Sequence, residues 1–342
     1  MLSLQVRPAV TADSPERVRW WLGRTDAGLP APFELSGDAG YGTHMDLLRI
    51  ERPLDDIGRD PVLVVALDGW TDAGEGGSAA AGALLELPTE RIGEFPPDQL
   101  YDYRDRRPQL AIDRGVLGRV DWPELAVDLV SAAAGPPLVL VHGAEPDLAW
   151  RTCASDLLEL AAAVGADRYV GLGSVPGPIP HTRPVDLICT GNDAELIDRL
   201  GRAHEQVVVP ASCQVAWESL FDAAGLTTLG LWVRIPHYVA GDYPEATRAL
   251  LERLSSHLGT PVDLDPFDAL VAENRSKLDV AASSSEEVSE HVKQLERLYD
   301  AEQEAEQAVS GMGQGVALSE AEVPSPDELG AEIERFLRGR AD

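Results

Sequence analysis

Three apolar runs along the chain each end in a polar, glycine-marked loop. Val62–Leu67 leads into Asp68–Gly74, Leu138–Val141 into His142–Asp147, and Tyr169–Leu172 into Gly173–Pro184. Short, unbroken runs rich in β-branched residues suit strands buried on both faces, which is how parallel strands read. In an open α/β sheet the loops at the carboxyl ends of such strands share one crevice. The polar residues of all three loops are therefore expected to meet. Helical spacing predicts helices over Gly77–Leu87, Trp122–Ala134, Asp147–Val164, Ala194–Leu200, Gln214–Ala224 and Pro244–Leu258. Further strands are expected at Asp46–Ile50, 101–112, Val207–Val209 and Leu229–Ile235. The alternation predicts an α/β fold with a mainly parallel or mixed sheet flanked by helices.

The same pattern divides the chain. Residues 1–44 hold isolated aromatics (Trp20, Trp21, Phe33) without a sustained period, and are expected to form a disordered leader. The α/β core domain then spans 45–265. A helical extension follows over 266–308, opened by the capping box Ser284-x-x-Glu287. Its single stripe, Val288, Val292, Leu295 and Leu298/Tyr299, must pack on the body or on another subunit. Residues 309–324 read as a flexible linker. A last helix over 325–342 has Ser325 as cap, Pro326 as first helical residue and an apolar face of Leu329, Ile333, Phe336 and Leu337.

Charge narrows the function classes. The 342 residues carry 58 acids against 28 Lys and Arg, a formal net charge of −30, which argues against nucleic acid and anionic membrane surfaces as partners. Residues 286–342 contribute 15 acids and 5 bases, which reads as a solvated tail. Neither a signal peptide nor a membrane span is visible, so a cytoplasmic location is expected. Cys153, Cys189 and Cys213 lie far apart, without the spacing of a zinc site or a disulfide framework, and no metal site is expected. Gly74-Glu75-Gly76-Gly77-Ser78-Ala79 matches a dinucleotide fingerprint on paper. Its distance from the strand and the flanking Asp68, Asp72 and Glu75 argue against phosphate, so no cofactor is expected.

The loops still hold chemistry-bearing side chains. Asp68, Asp72, His142, Glu145, Ser174, His181 and Arg183 are the catalytic candidates. Ser174 would be the nucleophile, with His142 or His181 as base. Leu172 and Pro176 stand where a hydrolase elbow has glycines, which favours a serine bonded to backbone. Arg183, on a loop stiffened by Pro176, Pro178, Pro180 and Pro184, suits a carboxylate or phosphate, or equally an internal ion pair. Trp70, Gly173, Gly177, Arg183, His237 and Tyr238 are the ligand-binding candidates. Asp72 and Asp147 are better read as helix N-caps than as cation ligands.

Taken in order, Asp68-Gly69-Trp70-Thr71-Asp72-Ala73-Gly74, Glu145-Pro146-Asp147-x-x-Trp150, Gly173-Ser174-Val175-Pro176, His181-Thr182-Arg183-Pro184 and Pro236-His237-Tyr238 resemble the proteasome-assembly-chaperone family. The likeness is strongest to its uncharacterised actinobacterial branch and covers about residues 46–300. It implies a fold similar to purine nucleoside phosphorylases, a homo-oligomer with three subunits favoured, and, for some members, binding of proteasome α-subunits. The chain departs from members that dock through a hydrophobic-tyrosine-any tail, since it reads Gly339-Arg340-Ala341-Asp342 there. The resulting expectation is a protein-binding, assembly-chaperone-like molecule. The alternative is a phosphorylase-like or hydrolytic enzyme acting on a small molecule in the crevice.

Overall fold

The computed structural model describes residues 45–203 and 207–311. The expected leader, most of the expected linker and the expected last helix lie outside these residues.

Nine strands form one mixed sheet in the order β1-β3-β6-β7-β2-β8-β11-β9-β10. At its centre β7 (Leu138–Ala144), β2 (Val62–Asp68), β8 (Arg168–Gly177) and β11 (Thr227–Pro236) run parallel. These include the apolar runs of the sequence, and Val62 to Leu67 are buried without a break. Antiparallel strands flank this centre. On one side lie β6 (Leu125–Val130), β3 (Thr89–Glu94) and β1 (Arg49–Ile50). On the other, β9 (Asp186–Gly191) is antiparallel to β11, and β10 (Arg202–Ala203) continues parallel to β9.

Alternate side chains feed two cores. One face carries α1 (Gly76–Leu85), α4 (Ala194–Leu200) and α6 (Pro244–Leu258), whose Ala80, Leu84, Leu196, Leu250 and Leu254 meet Val62, Val64 and Leu140. The other carries the short α2 (Pro97–Leu100), α3 (Trp150–Val164) and α5 (Cys213–Ala223), with Leu157, Leu160, Trp217 and Phe221 against Leu63, Val65 and Val141. The first turn of α1 is so poor in bulk that helix and sheet approach closely, as its run of Gly, Ser and Ala implies.

Beyond the sheet, α7 (Asp265–Ser283) packs on α6, and α8 (Glu286–Gly311) returns along the body with Val292, Leu295 and Tyr299 buried. The expected capping box at Ser284 is not formed: Ser284 ends α7, its hydroxyl donating back to Ala281 O at 2.7 Å, and α8 starts at Glu286. At its far end α8 runs to Gly311, into the first residues of the expected linker. Its acids are not merely solvated. Glu296 and Asp300 reach Arg183, and Glu302 reaches Arg234 and Arg202.

Three expected elements differ. Trp122–Ala134 holds the strand β6, not a helix. Leu125-Ala126-Val127-Asp128-Leu129-Val130 is buried throughout because it lies between two other strands, and pairing outweighs a pattern equally open to a helix. Residues 101–112 hold a turn and then β4 (Gln109–Asp113), which forms a separate hairpin with β5 (Val116–Asp121) through a left-handed turn at Arg114 and Gly115. The Leu110–Val120 and Ile112–Leu117 pairs share one face of that hairpin, and Leu110, Ile112 and Leu117 are exposed. Val207–Val209 form no strand and are exposed.

Two buried carboxyls tie elements together. Asp156 on α3 accepts the backbone N–H groups of Asp46, Leu47 and Leu48 at 2.9, 2.7 and 2.8 Å, anchoring the start of the described chain. Asp156→Ala should lower stability by about 2 kcal/mol in urea unfolding, since the buried N–H of Leu48 and the half-buried one of Leu47 then lose this acceptor. Glu218 on α5 is also buried, and desolvation pushes its carboxyl up to about 7 from 4.5. The folded chain thus holds a proton that the unfolded chain releases. This contribution to stability is present below about pH 4.5 and lost as pH rises towards 7. Glu218→Gln should raise stability at pH 8 by on the order of 2–3 kcal/mol relative to its effect at pH 4.5, as measured by denaturant titration at both pH values.

Candidate functional site

Because β7, β2 and β8 are parallel neighbours, the loops after them emerge along one edge of the sheet. Glu145 joins two of these loops to α5. Its Oε2 accepts the N–H of Trp70 and its Oε1 the N–H of Cys213, both at 2.6 Å. A charged acceptor at the amino end of α5 also faces the positive end of the helix. Gly69 must be glycine beside it, for an added Cβ would lie 2.2 Å from Glu145 Oε2. Ser212 caps α5 by accepting the N–H of Val215 at 3.2 Å. These elements border an open groove of about 750 Å³, lined among others by Trp70, Arg106, Glu145, Leu148, Trp150 and Ser212. Trp70 stands 70% exposed at its rim.

Asp68 lies at the same edge and pairs with Arg106 at 3.0 Å. Asp147 does not cap α3; its Oδ2 accepts the N–H of Asp102 at 2.7 Å and so holds the turn after α2. The helix starts instead from Ala149 in a left-handed conformation, without a side-chain cap.

Beneath the groove the loop polar groups serve packing. Asp72 Oδ1 accepts the N–H groups of Gly77 and Ser78 at 2.7 and 3.1 Å, opening α1 as an N-cap does. Burial raises its carboxyl despite those bonds. Ser174 is wholly buried and donates to Ala73 O at 2.6 Å. Among the described residues this hydroxyl is bonded to a carbonyl and to no imidazole. At Gly173 a Cβ would lie 2.6 Å from Thr71 O and 2.7 Å from the Trp232 ring, so close packing demands the glycine there.

The remaining candidates go elsewhere. His142 lies buried on β7 and donates to Asp128 on β6 at 2.6 Å, with Arg91 of β3 on the other carboxylate oxygen at 3.0 Å. Burial alone would raise Asp128, but the bonds from His142 and Arg91 outweigh it and hold the carboxyl below its usual value. His181 is buried between Tyr238, 2.6 Å from its Nδ1, and Asp279 of α7, 3.2 Å from its Nε2. Arg183 forms a two-pronged pair with Asp300 at 2.8 and 2.7 Å. That pairing raises Arg183 and lowers Asp300. Gly177 offers its carbonyl to His237, from the backbone N–H at 3.1 Å and from Nδ1 at 3.2 Å.

The PAC2 family model matches residues 66–282, which include all three loops and most of the sheet. The chain belongs to the PAC2 family. Solved structures agree. The Mycobacterium tuberculosis protein of unknown function Rv2714 is 34% identical, with a TM-score of 0.72 over 80% of this chain and 95% of that one. A PAC2 family protein from Streptomyces avermitilis is 32% identical, with a TM-score of 0.61 over 68% of this chain and 100% of that one. The Mycobacterium tuberculosis proteasome-assembly chaperone homologue Rv2125 is 28% identical, with a TM-score of 0.62 over 68% and 99% of the two chains. No curated protein is significantly similar.

In this PAC2 chain the three loops meet, but the seven catalytic candidates divide among separate sets of partners. Glu145 lines the groove, Asp68 pairs with the groove's Arg106, Asp72 and Ser174 hold α1, His142 joins three strands, and His181 and Arg183 anchor the terminal helices. Sequence reasoning missed Arg106, Asp128, Asp186 and Glu218. Asp186 binds both Arg234 and Arg202, but its partners are far along the chain and no local spacing marks it. Among the described residues, no group of three or more His, Cys, Asp and Glu is placed to hold a metal ion.

The Glu145 clamp is open to test. Gly69→Ala should cost about 2 kcal/mol or more in the wild type and clearly less in a Glu145→Gly background, since both Oε2 and the Cβ of residue 145, which the new methyl would strike, are then gone. Urea unfolding of the four proteins of this cycle measures the coupling.

Proposed function

We propose that this PAC2 protein works by binding other proteins, as an assembly-chaperone-like homo-oligomer of the cytoplasm. Three subunits are favoured, and proteasome α-subunits are the first partner to test. The observation that carries this reading is a contrast of exposure. Ser174, His181 and Arg183 are spent on bonds within the fold, while Trp70, Leu148, Val207–Val209 and the hairpin side chains Ile112 and Leu117 stand in water. Exposed large apolar groups of this kind suit macromolecular contact better than small-molecule chemistry. The likeness to the proteasome-assembly chaperone homologue Rv2125 supports the choice of partner. The parallel centre of the sheet, with its loops at one edge, is also compatible with an arrangement similar to purine nucleoside phosphorylases.

The groove favours a second reading, an enzyme of phosphorylase-like or hydrolytic type. Its volume of about 750 Å³ falls within the range of small-molecule sites. Its lining weighs against an anionic co-substrate, since Asp102, Asp105, Glu145 and Asp147 face one cation, Arg106, already paired with Asp68. Substrate and partner chemistry can be separated at Trp70, whose side chain is exposed. Purified proteasome α-subunits should bind the full-length protein, and Trp70→Ala or Leu148→Asp should weaken that binding at least tenfold in a titration by light scattering or interferometry. No association at tens of micromolar would overturn the choice of partner.

A further inference from the structure

The end of β11 and the helix α8 bring two imidazoles face to face. His237 follows the last residue of β11, and His291 lies in the second turn of α8, 54 positions further along the chain. Their Nε2 atoms are 3.3 Å apart. The ring centroids are 5.4 Å apart with planes at 84°, so the rings address each other through these nitrogens and do not stack. Both side chains belong to exposed residues, and solvent reaches them.

The hydrogen bond behind His237 decides what its Nε2 is. Nδ1 lies 3.2 Å from the carbonyl oxygen of Gly177. A carbonyl only accepts, so Nδ1 carries the proton. In the neutral ring Nε2 is then an open lone pair aimed at His291. A backbone carbonyl on the far nitrogen is the outer-shell bond that orients metal-binding histidines and makes them more basic. Two nitrogens bound at ~2.0–2.1 Å to one tetrahedral ion lie ~3.4 Å apart, close to the separation found here.

We propose that His237 and His291 form a two-histidine site for a borderline divalent cation, with Zn²⁺ as its best fit, that fastens α8 to the end of β11. Imidazole suits such ions, whereas the hard cations Mg²⁺ and Ca²⁺ prefer oxygen ligands. Two protein ligands leave the other positions to water, so the site binds reversibly and joins two elements without building the fold. The net charge of −30 raises the local cation concentration without choosing the ion. The site is separate from the groove and from the proposed protein-binding role.

Zinc chloride titrated by calorimetry into the metal-free, full-length protein at pH 7.5 tests the site. One ion per chain should bind, and His237→Ala and His291→Ala should each weaken the affinity at least tenfold. His257→Ala, outside the site, should leave it unchanged. Zinc should also slow protease cleavage within α8 in the wild type but not in either variant. Circular dichroism checks that all the proteins are folded. Absence of saturable binding up to 1 mM zinc would overturn the proposal. Equal binding by the wild type and both histidine variants would overturn it too, as it would mark the ion as adventitious elsewhere on the chain.

Discussion

The loop edge of this molecule depends on one carboxylate. Glu145 sits where two neighbouring segments would otherwise leave N–H groups unpaired, and its two oxygens take one from each. The loop after β2, the loop after β7 and the start of α5 are set relative to each other by that bridge. The groove between them inherits its shape from it. A carboxylate suits the task because it accepts in several directions and its charge strengthens each bond.

A second constraint is the way in which acids and arginines are distributed. The loop after β8 and the strands β9 to β11 carry Arg183, Arg202 and Arg234, while α8 carries Glu296, Asp300 and Glu302. Exposed ion pairs contribute little singly. Here they flank a buried stripe of Val292, Leu295 and Tyr299, so the apolar contact supplies the attraction and the charges fix the register. An acidic helix would slide or turn on a purely apolar seam; opposite charges at defined places prevent it.

Much of this was legible in the sequence, and the limits have physical causes. The central strands were readable because Val62–Leu67 and Leu138–Val141 are buried on both sides, so no alternation is needed to see them. The stripe of α8 was readable because one face repeats at helical spacing. β6 was misread because Asp128 interrupts an apolar run in a way that also fits a helix. Only the neighbours β3 and β7, with Arg91 and His142 ready to pair with that carboxylate, make it a strand. The fate of Arg183 was undecidable locally, since its partner Asp300 is 117 positions away. Asp72 was read correctly as a cap because its partners Gly77 and Ser78 are close in sequence. Asp147 looked the same but serves Asp102, 45 positions before it.

The two ends of the large sheet have a consequence for how this molecule meets others. Its outermost strands, β1 and β10, are each two residues long. Among the described residues, strands so short offer few backbone groups of their own for a foreign strand to align on. They equally narrow the route by which many recognition domains seize an extended peptide, zipping it onto a sheet border by main-chain bonds that ignore side-chain identity. Among the described residues, the proposed recognition then falls mainly to side chains on loops, helices and the small hairpin. Selectivity is then written in residues that evolution can change one at a time without unravelling the sheet behind them.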